Sequence, residues 1–109
     1  MNSKVFFGDE QLKEAFDKLE TSKTEDKNLH KWISQAIDDI EENTFCITQI
    51  PKKQIPKEYI KKYGIDNLWK YDLPSACRLL YSVAGDKVQI VSILLEWLDH
   101  KNYEKRFNY

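Results

Sequence analysis

Lys70 and Arg78 are the two cations placed best to do chemistry. Lys70 sits in a stretch of alternating polarity, Arg78 opens a second strand-like stretch, and Pro74-Ser75 breaks the chain between them. If the two stretches are neighbouring strands, a guanidinium fork and an ammonium project from one face, an arrangement suited to an anionic partner. A salt bridge from Arg78 to Asp72 or Glu96 is the competing use of the same spacing. Upstream, Lys52, Lys53, Lys57, Lys61 and Lys62 interleave with Tyr59 and Tyr63, and Trp69 and Tyr71 follow. Basic and aromatic residues in alternation suit single-stranded nucleic acid, because phosphates take the charge and bases stack on rings. The plainer reading is a solvated loop whose Trp69 and Tyr71 belong to the core. Other chemistries lack their residues. Cys46 and Cys77 form no CxxC pair and share no ligand spacing with His30 or His100, so zinc is not expected. The glycines Gly8, Gly64 and Gly85 are too scattered for a phosphate loop.

The chain has 109 residues, room for a single domain spanning 1–109. Lysine and arginine total 17, aspartate and glutamate 18, for a net charge of −1. That sum argues against diffuse binding to nucleic acid, but it hides an asymmetry. Residues 1–44 carry −5 and residues 45–71 carry +4. No apolar run approaches the ~20 residues of a membrane span. The first residues turn polar too soon for a secretory signal, so a cytoplasmic location is expected.

The elements that must position these cations follow from periodicity. Lys4 to Phe7 reads as a strand, with Asp9 the N-cap of a helix from about Glu10 to Leu19. Ser22 and Glu25 have capping-box spacing for a second helix. Its apolar stripe is Leu29, Trp32, Ile33, Ala36, Ile37 and Ile40, and Asn43 ends it. Residues 44–66 read as a long loop around Pro51 and Pro56, with one or two helical turns over Lys57 to Tyr63. Asn67 to Leu73 alternates as a strand, with Trp69, Tyr71 and Leu73 on one side and Lys70 and Asp72 on the other. Arg78 to Ala84 is the next strand, Gly85-Asp86 a two-residue hairpin turn, and Lys87 to Leu98 the last strand. That register sets Arg78 opposite Ile93. Asp99 to Tyr109 reads as a polar, aromatic tail. The expected fold is α+β: two N-terminal helices on one face of a small antiparallel sheet in the order β-α-α-β-β-β, with Arg78 on the open face.

The run Leu68 to Leu73, then Cys77-Arg78-Leu79-Leu80-Tyr81-Ser82-Val83, then Val88 to Leu95, resembles the RelE/ParE toxin superfamily of type II toxin–antitoxin systems. The most telling pieces are R-L-L-Y on the third strand and D-H-K-x-Y-x-x-R-F over 99–107. The resemblance implies a RelE-like branch member: a toxin that inhibits translation by cutting messenger RNA on the ribosome and is neutralised by a small cognate antitoxin. It implies no cofactor and no metal, since the ribose 2′-OH attacks the adjacent phosphate. It further implies that Arg78 holds the phosphate, that Lys70 offsets developing charge, and that His100 or Tyr103 moves a proton, with stacking on a base the other use of Tyr103. Lys101 and Arg106 would bind backbone phosphates, alongside Lys57, Lys61 and Lys62 of the basic loop. The chain departs from the family pattern in two respects. Asp72 stands where many relatives have a second lysine, and the whole is nearly neutral. The alternative is a ParE-like or degenerate module that acts by protein–protein contact without cleaving RNA.

Overall fold

The computed structural model describes residues 4–43, 48–85 and 90–107. In chain order these form β1 (Lys4–Phe7), α1 (Glu10–Leu19), α2 (Thr24–Glu42), β2 (Thr48–Gln49), α3 (Lys57–Tyr63), β3 (Trp69–Asp72), β4 (Arg78–Gly85), β5 (Ile90–Leu98) and α4 (His100–Phe107), with short 3-10 turns at Lys52–Gln54 and Pro74–Ala76. The strand order is β1-β5-β4-β3-β2. β2 to β5 are antiparallel neighbours, and β1 joins β5 in parallel. The fold is α+β, with the two N-terminal helices on one face of the sheet.

Local chemistry explains most of the boundaries. The Asp9 carboxylate accepts the Leu12 N–H at 2.7 Å and caps α1. The expected capping box at α2 does not form: Lys23 is the N-cap, and the Ser22 hydroxyl donates to the Asp26 carboxylate instead. Gly64 ends α3 at φ 64, a left-handed cap that L side chains adopt at a cost.

The alternation in β3 divides two cores. Trp69, Tyr71 and Leu73 face α1 and α2, where Leu79, Tyr81, Phe16, Ile33, Ala36 and Ile40 pack. The Tyr71 hydroxyl donates to Asp39 and ties α2 to the sheet. On the opposite face Leu80 and Leu98 pack with Ile50, Ile55, Tyr59, Leu68, Tyr103 and Phe107.

That second core corrects the expectation of an open face. The segment read as a polar tail is α4, whose Tyr103 and Phe107, one turn apart, cover Leu80 and Leu98 together with α3. The hairpin register is also corrected. Arg78 lies opposite Leu98, not Ile93, and Ala84 opposite Val91. Gly85 pairs with Ile90, so the connection is longer than two residues, and an irregularity between Leu80 and Tyr81 shifts the pairing by one. Asp86 and Lys87 of the expected turn, and Cys46, lie outside the described residues. β2, a two-residue strand at the sheet edge beside β3, carried no alternation to announce it.

Candidate nucleic-acid interface

Arg78 opens β4 directly opposite Asp72, and Lys70 lies opposite Leu80 two positions along β3. All three therefore project from the α4 side of the sheet. The turn between the strands is tight. Leu73 N–H donates to the Cys77 carbonyl at 2.8 Å, while Ser75 and Ala76 both hold positive φ (61 and 59). Two non-glycine residues in that region store strain, and the turn fixes Asp72 against Arg78.

Arg78 Nε is 2.9 Å from Asp72 Oδ1, and Lys70 Nζ is 4.0 Å from the same oxygen. Both cations lie over the ring of Tyr103, at 5.5 Å for the Arg78 guanidinium carbon and 5.8 Å for Lys70 Nζ. The Tyr103 ring is buried and stacks on Phe107 with centroids 4.4 Å apart. The structure thus brings Lys70, Arg78 and Tyr103 together around one carboxylate. Tyr103 serves as the floor of the cluster. Phe107 lies against its ring and the two cations lie over it, so the ring is already in contact with three side chains. His100 is the first residue of α4, three positions before Tyr103, and its side chain lies outside the described residues.

Arg106 is drawn elsewhere. Its Nη2 donates to Glu96 at 3.1 Å, its Nη1 donates to Glu58, and its guanidinium lies 5.8 Å over the ring of Tyr59. The Tyr59 hydroxyl also donates to Glu96. Burial raises the Tyr59 hydroxyl above the tyrosine range, and the bond to Glu96 raises it further. Burial alone would loosen the Arg106 proton, yet the charges of Glu96, Tyr59 and Glu58 prevail and hold it more firmly. This network joins α3, β5 and α4, so Arg106 is a structural tie as well as a cation.

Among the lysines, Lys57, Lys61 and Lys101 are exposed. Lys57 lines a cleft of ≈ 540 Å³ with Lys53, Gln54, Glu58, Arg106 and Phe107. Lys62 pairs with Asp9 at 3.2 Å, where Tyr63 also donates at 3.1 Å, so it ties α3 to the start of α1. Its charge is strengthened first by Tyr63 and then by Asp9, while the Leu12 N–H and these two partners lower Asp9. Of the two partners the spacing offers Arg78, the structure gives it Asp72, while Glu96 joins Arg106 and Tyr59, a grouping with Glu58 that the sequence does not announce. Their sequence separations are long, and only the pairing of Glu96 with Leu80 puts Glu96 beneath α3.

Among the described residues no helix is long and apolar enough to cross a membrane. No family model, curated protein or solved structure matches this chain.

Proposed function

We propose that the chain is a RelE-like toxin: a translation-inhibiting endoribonuclease that cuts messenger RNA and is neutralised by a small cognate antitoxin. The observation that carries this reading is the pair of half-buried cations, Lys70 and Arg78, seated together on the Tyr103 ring. Fixed cations in a partly dry site are worth more to a developing phosphate charge than mobile surface lysines. The ribose 2′-oxygen attacks the adjacent phosphorus, the bond to the 5′-oxygen breaks, and a 2′,3′-cyclic phosphate and a 5′-hydroxyl result. Arg78 holds the phosphate and Lys70 offsets the charge of the transition state. Tyr103 positions both. His100 is assigned the proton transfer, being the residue type suited to it near neutral pH. The exposed Lys57, Lys61 and Lys101 supply backbone-phosphate contacts in this reading, in the cytoplasm on translating ribosomes, and Arg106, whose Nη groups are taken by Glu58 and Glu96, serves to hold α4 in place.

The ion pair between Asp72 and Arg78 favours a second reading. A guanidinium already neutralised is consistent with a ParE-like or degenerate module that acts by protein contact. Controlled expression separates the two. The nuclease arrests growth and produces new 5′ ends within translated messages, and Arg78→Ala or His100→Ala relieves both while the protein stays folded. Arrest with intact messages, or arrest that survives both substitutions, contradicts the proposed site.

A further inference from the structure

Asp72 is the outermost member of the cluster. Its side chain is 60% exposed, whereas those of Arg78 and Lys70 are 19% and 25% exposed. The carboxylate therefore covers the two cations on the side from which a solvent-borne anion arrives. Its Oδ1 is shared between both, at 2.9 Å and 4.0 Å. A phosphodiester oxygen seeking Arg78 Nε and Lys70 Nζ would meet the same atoms, since Arg78 Nη1 is taken up by the Cys77 carbonyl at 3.3 Å. The strained turn at Ser75 and Ala76 and the direct pairing of Asp72 with Arg78 fix the Asp72 backbone beside the two cations, and its exposed side chain turns on that fixed point.

We infer that Asp72 is an internal anion that occupies the phosphate seat of Arg78 and Lys70, so that an RNA phosphate binds by displacing it. This rests on the nuclease reading for its ligand, but not for the seat itself. The exposure of Asp72 makes displacement cheap. The Asp72 end of the pair faces solvent, so the side chain swings into water without unfolding anything, and the incoming phosphate takes over its charge beside the buried Arg78 Nε. The acid then acts as a threshold. Weakly held or stray anions lose to it, and only an RNA held by further contacts wins, which fits a chain whose charge sum argues against diffuse binding.

The test measures binding of a short uncleavable 2′-O-methyl oligoribonucleotide, and of inorganic phosphate, to the full chain. Five proteins are compared: wild type, Asp72→Asn, Asp38→Asn, Arg78→Gln and the double variant Asp72→Asn/Arg78→Gln, whose gain is read against Arg78→Gln. Asp38 is exposed on α2, on the other side of the sheet, and its substitution changes the net charge equally. The expected result is that Asp72→Asn binds the oligonucleotide about fivefold more tightly. Asp38→Asn changes binding by less than about twofold, as a distant screened charge should. The gain disappears in the double variant. An Asp72→Asn protein that binds no more tightly overturns the inference, as does a gain that survives Arg78→Gln or is matched by Asp38→Asn. If the wild type cuts no message but Asp72→Asn still gains phosphate binding through Arg78, the internal anion stands and the nuclease reading falls.

Discussion

Glu96 holds together more of this molecule than its position on a strand suggests. It accepts from the Tyr59 hydroxyl and from Arg106, so one carboxylate links α3, β5 and α4. Glu96→Ala leaves a part-buried guanidinium without its main anion and a buried hydroxyl without an acceptor. Both losses destabilise, by about 2–3 kcal/mol together. Chemical denaturation of the variant against wild type checks this, and Glu96→Gln, which can still accept a hydrogen bond, should lose less. At the same scale, Arg78 differs from Arg106 in what it faces. Both lie over a tyrosine ring, but Arg106 pairs with two glutamates, whereas Arg78 pairs with one solvent-facing aspartate. Nothing in the local sequence distinguishes the two arginines. The difference comes from β4 pairing with β3 and from where α4 lies.

At the scale of elements, α3 is pinned at both ends of its span. Tyr59 reaches Glu96, and Lys62 and Tyr63 reach Asp9, the N-cap of α1. Asp9→Ala should cost about 1 kcal/mol from the cap alone. The Asp9 carboxyl sits below its ordinary value of 3.8 in the folded chain. Its contribution is therefore present above that value and lost as pH falls through the lower folded one. Denaturation of wild type and Asp9→Ala should show a gap at pH 7 that narrows as pH drops below about 4. Gly64 closes α3 at positive φ, with nothing within 4 Å of where a Cβ would stand. Gly64→Ala should thus destabilise by about 1 kcal/mol through backbone strain alone, with no clash. The sequence made α1, α2 and β3 legible, because each carries a cap or an unbroken apolar period. It did not reveal α4. An eight-residue helix with Tyr103 and Phe107 as its buried residues has too short a stripe to stand out from a polar tail. The β4–β5 register was hidden for a different reason. Gly85-Asp86 looks like a two-residue turn, but the irregularity at Leu80/Tyr81 and the longer connection move Arg78 to face Leu98.

At the scale of the whole molecule, the charge asymmetry read from the sequence maps onto the layers. The acidic α1 and α2 cover one face of the sheet, and α3 and α4, with exposed Lys57, Lys61, Lys101 and Lys105, cover the other. The candidate site lies on that basic side. The face expected to be open is roofed by α4, and the roof makes the site. Without Tyr103 beneath them, Lys70 and Arg78 would be two ordinary surface cations. Side-chain alternation in the sequence was enough to put Lys70 on the opposite side from Trp69 and Tyr71. The seat itself needed α4, whose helical spacing at His100, Tyr103 and Arg106 is too short to mark a covering helix by itself. Lys70 and Arg78 serve RNA cleavage in the function proposed for this chain. The most direct measurement of that role is the mapping of 5′ ends in messages from cells expressing wild type or Arg78→Ala, with folding of both proteins verified by circular dichroism. Wild type should generate new ends within translated regions, and Arg78→Ala should reduce them by about a hundredfold or more, as loss of a fixed donor to a developing oxyanion does. Messages left intact by wild type, or cut equally by a folded Arg78→Ala protein, would contradict it.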